Sequence, residues 1–179
     1  MNKIYIALGI VGAYFLVRKE VDITINTALQ NKNVQAFLRV IRDAESAGEY
    51  NVLYGGGHFD DYSKHPNIRT PFHNPLKSKE GNNDFSTAAG AYQINYPTWI
   101  FILTVSTISD FSKLSQDKAA IVLLKTRGAL SPLFAGDFKS ALDAASGTWA
   151  SLPGSKSGQR QLSYDSVLAK FNSYGGAVA

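Results

Sequence analysis

The chain has no cysteine, so it can form neither disulfide bonds nor thiolate metal sites, and thiol exchange cannot control it. Several catalytic patterns are also missing: the three histidines form no HExxH pattern, and no GxSxG sequence is present. The glycines at 55–57 are not followed by GK[ST], so a hairpin turn explains them better than a phosphate loop. These absences argue against thiol, serine and nucleotide-dependent chemistry.

Charge is also sparse, at 18% of residues, and the net charge of +4 comes from Lys and Arg spread along the chain without a dense run. Such a mild basic excess suits an acidic partner such as a cell wall, a membrane surface or nucleic acid, but it equally suits an ordinary solvated surface. With 45% hydrophobic residues, 179 residues are enough for one domain with a substantial core.

One uncharged apolar run is present, 4-IYIALGIVGAYFLV-17, flanked by Lys3 and by Arg18-Lys19. It is shorter than the roughly 20 residues of a comfortable membrane span and has the length of a signal-peptide core. No small-x-small cleavage site follows it. We interpret it as an uncleaved export or anchor segment; the alternative is a buried N-terminal helix.

A helix is predicted over 34–46, because Val34, Phe37, Leu38 and Ile41 follow the i, i+3, i+4, i+7 spacing of one apolar face. The same stripe continues to Glu45, just before Gly48. Partial desolvation and the negative end of the helix dipole both disfavour the carboxylate, so the pKa of Glu45 should be raised. Glu45 is therefore a candidate general acid, and the alternative is a surface glutamate paired with Arg39 or Arg42.

The rest of the chain predicts an α+β architecture. Residues 49–95 hold most turn signals and short strand-like pieces such as 50–54, which indicates a small β-hairpin lobe. Helices are predicted at 98–106, 115–128, 137–145 and 163–173, with Ser115, Asp137 and Ser163 at their starts. A cleft between two such lobes is a natural ligand site. His58, His65 and His73 lie in the β lobe, where a structural role fits them better than metal binding.

Several stretches resemble the bacteriophage lambda endolysin family, the lambdoid phage lytic transglycosylases of lysozyme-like fold. The resemblance covers roughly residues 34–176, and its main stretches are 36-AFLRVIRDAES-46, 50-YNVLYGGGHFDDYSKHP-66, 74-NPLKS-78, 88-AAGAYQI-94, 110-DFSKLSQDKAA-120 and 149-WASLPG-154. It implies a lysozyme-like helical lobe and a β-hairpin lobe flanking a cleft. The implied organisation is an apolar segment at 1–22, a connector at 23–33 and a lysozyme-like domain at 34–179.

The resemblance implies that Glu45 is the single catalytic residue. Family enzymes cleave the β-1,4 bond between MurNAc and GlcNAc in peptidoglycan without water and leave a 1,6-anhydro-MurNAc end. No cofactor and no metal are implied. Substrate contacts carry over to Ser46, Tyr50, Asn51, Tyr92, Gln93 and Gln159. An aromatic face such as that of Tyr92 can stack on a sugar, and an amide such as that of Gln93 can bond an N-acetyl group.

The chain also departs from the family pattern. Residues 79–86 look inserted, and Ser157 stands where the family often has Tyr. The apolar run at 4–17 resembles the signal-arrest-release segments of other phage endolysins, which implies a protein in the host periplasm that is tethered at first to the inner membrane. We also expect a monomer whose partner is peptidoglycan and not nucleic acid. Two alternatives stay open: a hydrolytic muramidase, and a membrane-anchored wall-binding or virion component.

Overall fold

The structure is a computed structural model that describes residues 2–71 and 85–179, with side chains from residue 16 onward. His73 and most of the loop predicted as an insertion at 79–86 lie outside these residues. Along the described chain the elements are α1 Asn2–Leu29, α2 Lys32–Ser46, β1 Thr70–Pro71, β2 Phe85–Ser86, α3 Tyr96–Val105, α4 Lys113–Thr126, α5 Leu130–Ala135, α6 Phe138–Ala145 and α7 Tyr164–Ser173.

The β lobe is small. Strands β1 and β2 pair antiparallel, with Thr70 opposite Ser86, and isolated bridges join Val52 to His58 and Ala89 to both Leu53 and Ile94. The glycines at 55–57 close a tight turn in which the Leu53 N–H donates to the Gly57 carbonyl at 2.6 Å. The α+β class is confirmed, and the triple glycine has the turn role expected of it.

Helix α2 carries the predicted apolar stripe into the core. Val34, Phe37, Leu38 and Ile41 are all buried, and the ring of Phe37 meets the Phe138 and Phe171 rings edge-on. Asn31 caps the start of the helix, because its side-chain oxygen accepts from the Val34 N–H at 3.1 Å. Packing between α2, α6 and α7 therefore fixes the orientation of α2 and the position of its last turn.

Helix α1 continues into the predicted connector at 23–33, which is helical as far as Leu29. Val21, Ile25 and Ala28 are spaced i, i+4, i+7 and are buried in the domain core, so this polar-looking stretch has an apolar side. Among the described residues, no helix combines the length and apolar character needed to cross a membrane.

Polar contacts join α1 to the segment after α3 and to α4. The Arg18 guanidinium donates to the Ser106 carbonyl, and the Asp22 carboxylate accepts from the Thr107 N–H at 3.2 Å. Glu20 lies 3.4 Å from Lys125 of α4. The second half of α1 is thus part of the folded domain.

Other helix boundaries differ locally from prediction. Helix α4 is capped by Ser112, whose hydroxyl accepts from the Ser115 N–H; Ser115 itself is buried and donates to Asp110 at 2.6 Å. The six-residue α5 was not predicted, because so short a segment shows no clear periodicity. Asp137 caps α6 as predicted, and Ser163, predicted as the start of the last helix, caps α7.

Candidate active site

An open cavity of about 840 Å³ lies where the end of α2 faces the β lobe and the loop after α6. Its wall mixes backbone turns with polar side chains and with one tryptophan. The lining residues include Glu45, Ser46, Glu49, Tyr54, His58, Gln93, Trp149, Ser151, Gln159 and Arg160. A cleft of this openness and polarity suits a long polar ligand such as a glycan chain.

Glu45 reaches this cleft because α2 ends abruptly after it. Ala47 adopts a left-handed conformation with φ 54°, and the N–H groups of Ala47 and Gly48 both return to the Arg42 carbonyl. Gly48 has φ +88°, a backbone conformation that L side chains rarely adopt. This turn holds the last residues of α2 at the lip of the cleft.

Burial and hydrogen bonding shift the pKa of the Glu45 carboxyl in opposite directions. Burial raises its pKa, while the hydroxyl and the N–H of Ser151, both directed to Oε1, partly offset that increase. The alternative of a surface ion pair is not observed: Arg39 lies over the Tyr174 ring, and Arg42 contacts Asp117. Glu45 is therefore an acid that retains its proton to higher pH than an ordinary glutamate.

Three predicted substrate contacts lie in the cleft wall. The Gln93 side-chain N–H group donates to the carbonyls of Gly90 and Val52 at 3.0 and 3.2 Å, which fixes the orientation of the amide. Ser46 also lines the cleft, but it is buried and its hydroxyl donates to the Arg42 carbonyl. Gln159 is exposed on the opposite loop.

The other three predicted contacts are not among the cleft-lining residues. The prediction that Tyr92 presents its ring to a sugar is wrong, because Tyr92 is 1% exposed. Gln93 has φ +46°, a turn conformation that carries Gln93 into the cleft wall and leaves its neighbour Tyr92 in the core. Tyr50 and Asn51 are not among the cleft-lining residues; the Tyr50 hydroxyl donates to Asp117 at 2.8 Å.

Sequence reasoning missed Ser151, the partner of Glu45. It lies within the WASLPG stretch, but 106 residues separate it from Glu45 and no local pattern joins them. It also missed the exposed pair of Glu49 and His58, whose side chains meet at 2.8 Å in the cleft wall. Either pair could have been identified only from information on which residues lie close together in the folded protein.

The histidines have local roles. His65 is buried against the rings of Trp99 and Phe111, its Nε2 bonds the Ile94 carbonyl at 2.8 Å, and burial lowers the pKa of its ring. Its Nδ1 accepts from the backbone N–H of Asn67. Within the part of the chain that the structure describes, no group of three or more His, Asp or Glu side chains could hold a metal ion.

Comparison with known proteins gives consistent matches. A family model described as Endolysin matches residues 35–178. The endolysin of Escherichia phage lambda is 40% identical over 129 residues, which cover 72% of this chain and 77% of the relative. The endolysin of Escherichia phage P2 is 33% identical over 162 residues, and this match covers 83% of this chain and 96% of the relative.

The fold has matching solved structures. Bacteriophage lambda lysozyme complexed with a chitohexasaccharide aligns with TM-score 0.73 at 36% identity, and a second structure of that lysozyme aligns with 0.69 at 34%. Each alignment covers 83% of this chain and 97% of the other. The lysozyme-like fold is confirmed, and the chain belongs to the endolysin family.

Proposed function

We propose that this protein is a phage endolysin that degrades host peptidoglycan by non-hydrolytic cleavage of the β-1,4 bond between MurNAc and GlcNAc. The observation that carries the proposal is Glu45, a half-buried carboxyl with a raised pKa in an open polar cleft. The lambda lysozyme complexed with a chitohexasaccharide, a chain of amino sugars, supports a glycan substrate. Causing host cell lysis would be the biological outcome.

In the proposed reaction one carboxyl performs both proton transfers. Protonated Glu45 donates to the glycosidic oxygen as the bond to MurNAc C1 breaks, and GlcNAc leaves as the alcohol. The C6 hydroxyl of the same MurNAc attacks C1, and the Glu45 carboxylate removes its proton. The product is a 1,6-anhydro-MurNAc end, Glu45 is again protonated, and no water is consumed.

Burial of Glu45 and its hydrogen bonds with Ser151 suit these two proton transfers. Burial favours the neutral acid needed first, and the Ser151 hydrogen bonds stabilise the carboxylate that forms when the proton leaves. The carbonyl of the Gln93 amide can accept, and the exposed Gln159 amide can both donate and accept, which suits the N-acetyl and hydroxyl groups of a glycan. Neither role requires a cofactor.

A hydrolytic muramidase is the second candidate, because Glu49 is the other carboxylate among the described cleft-lining residues. A hydrolytic mechanism usually needs such a second carboxylate. Glu49 is more than half exposed and already bonded to His58. The lysozymes of another phage type place an Asp nine residues after the catalytic Glu, and Tyr54 stands there in this chain. We therefore favour the transglycosylase.

We further propose delivery to the host periplasm with transient tethering at the inner membrane through residues 4–17, with the enzyme acting as a monomer. The uncharged run and the helical backbone of α1 support this proposal. The contacts of α1 with Ser106 and Lys125 imply that the domain would lie close to the membrane surface while tethered.

Fractionation of expressing cells tests the tether. We expect the chain in the membrane fraction of energised cells and in the periplasmic fraction after depolarisation, because the run at 4–17 is only weakly hydrophobic. A variant with Leu16→Lys, a substitution at an exposed position of the run, should lose membrane association. A protein confined to the cytosol in both conditions would contradict the tether while leaving the enzymatic proposal intact.

Glu45→Gln should reduce cleavage of purified peptidoglycan by about 10²–10⁴-fold, because the amide can neither donate nor accept the transferred proton. The measurement is release of soluble glycan fragments, with circular dichroism to verify folding. Glu49→Gln is the matched control and should still release fragments. Substantial activity in Glu45→Gln would contradict the assignment, and loss of activity in Glu49→Gln would favour the muramidase.

Ser151→Ala should move the basic limb of the pH–rate profile to higher pH. The Ser151 hydroxyl bonds the ionised carboxyl and lowers the pKa of Glu45, so its removal raises that pKa further, and the protonated acid persists to higher pH. Ser146→Ala is the control, because its hydroxyl bonds the Asp143 carbonyl instead. A basic limb that stays in place, or moves to lower pH, in Ser151→Ala would contradict this role.

A further inference from the structure

A cluster of polar side chains lies beyond the cleft wall, centred on Asp117 in the first turns of α4. Its members are Arg42, Tyr50, Tyr92 and Asp117, which we call the Asp117 cluster. The Asp117 Oδ1 atom accepts from the Tyr92 hydroxyl at 2.5 Å and from the Tyr50 hydroxyl at 2.8 Å. Arg42 lies 3.5 Å away as the ionic partner and also donates to the Tyr50 hydroxyl.

The direction of these hydrogen bonds is fixed. Burial, and then the charge of Asp117, raise the pKa of Tyr92 well above its ordinary value. The same two causes, in the same order, raise the pKa of Tyr50 to about 12. Both phenols therefore keep their protons and donate to the carboxylate over the whole range of physiological pH. A charged acceptor makes such hydrogen bonds stronger than neutral ones.

One path leads from the cluster to Glu45 through α2. Arg42 lies three residues before Glu45, so the two side chains lie one helical turn apart on neighbouring faces. The Arg42 carbonyl accepts from the Ser46 hydroxyl and from the N–H groups of Ala47 and Gly48. Asp117 thus anchors the side chain of the residue whose carbonyl closes the cap that ends α2 beside Glu45.

A second path reaches Glu45 from the other side. The Tyr92 carbonyl accepts from the indole N–H of Trp149 at 3.1 Å, and Trp149 lies in the cleft wall. Two residues later, Ser151 donates to Glu45. The residue after Tyr92 is Gln93, which lines the cleft. Asp117 therefore holds both the helix that carries Glu45 and the loops that supply its hydrogen-bond partner.

The neighbouring Gln116 keeps the backbones around the cluster in place. Its side chain accepts from the Ala91 N–H at 2.8 Å and donates to the carbonyls of Tyr50 and Phe111 at 3.0 and 2.9 Å. A Cβ atom at Gly90 would lie 2.2 Å from the Gln116 amide oxygen. Gln116 thus fixes the main chain, which leaves Asp117 to orient the tyrosine and arginine side chains.

We propose that Asp117 is a positioning residue for proton transfer by Glu45, acting through Arg42 on one side and through Tyr92, Trp149 and Ser151 on the other. The inference rests on the proposed function, because it needs Glu45 to be the proton-transferring group. Asp117 does not line the cleft and touches no substrate in this scheme. Its loss should therefore impair turnover more than substrate binding.

The test compares kcat, KM and the thermal midpoint of Asp117→Asn with those of Asp143→Asn on purified peptidoglycan. Asp143 is an exposed α6 carboxylate paired with Lys139 at 2.7 Å and is the matched control. Asp117→Asn should lower kcat about 10- to 100-fold, because a small displacement of a catalytic group greatly slows the reaction. KM should change much less. The control should match the unmodified protein.

A double variant separates positioning from stability. Asp117→Ala leaves the buried Tyr92 hydroxyl without its acceptor, whereas Asp117→Ala with Tyr92→Phe removes both groups and should recover part of the lost thermal midpoint. Under the proposal kcat stays low in the double variant. A kcat that recovers together with the midpoint would overturn it. If Asp117→Ala does not fold, Tyr92→Phe alone should still lower kcat, and an unchanged kcat there counts against the proposal.

Glu45→Gln, measured in the same assay, distinguishes the two possible failures. If Glu45→Gln keeps its activity, the proposed function is wrong, and the positioning role fails with it. If Glu45→Gln is inactive while Asp117→Asn has the kcat of the unmodified protein, the function stands and only the positioning role is overturned.

Discussion

The contact between Glu45 and Ser151 is the constraint around which the site is organised. Burial alone would keep the carboxyl neutral and make it a poor base, whereas exposure alone would ionise it and make it a poor acid. One hydroxyl and one N–H group directed at a half-buried carboxyl place Glu45 between these limits. In the proposed reaction Glu45 gives and then recovers a proton within one turnover, and this intermediate environment suits both steps.

Glu45 and Ser151 are 106 residues apart in the sequence, so their contact requires that the elements carrying each of them be held rigidly. On one side the aromatic core of Phe37, Phe138 and Phe171 fixes α2. On the other side the loops of the cleft are tied to the N-terminal turns of α4 through hydrogen bonds to Gln116 and to Asp117. Gln116 and Asp117 thus support, among the described residues, the loops that meet Glu45 in the cleft.

Local features of the site could be predicted from the sequence. The apolar stripe of α2 obeys helical periodicity, so its burial, the position of Glu45 at its end and the direction of its pKa shift all followed from nearby residues. The caps at Asp137 and Ser163 followed from the same kind of signal. The stripe of Val21, Ile25 and Ala28 was also present in the sequence, but polar neighbours made it look like a connector.

Features that depend on distant partners could not be predicted. An aromatic residue before a glutamine is equally compatible with a sugar platform and with a core residue. The positive φ of Gln93 and the acceptor Asp117, 25 residues away, decide that Tyr92 belongs to the core. Ser151 is a similar case, because neither spacing nor periodicity relates it to Glu45.

In the proposed reaction Glu45 cleaves the glycan with the substrate's own C6 hydroxyl as nucleophile. The most direct test is digestion of purified peptidoglycan in H₂¹⁸O, followed by mass spectrometry of the muramic acid ends. If the proposal holds, the products have anhydro-MurNAc ends that carry no ¹⁸O, because no water enters the product. Reducing MurNAc ends labelled with ¹⁸O would contradict it and would identify a hydrolytic muramidase instead.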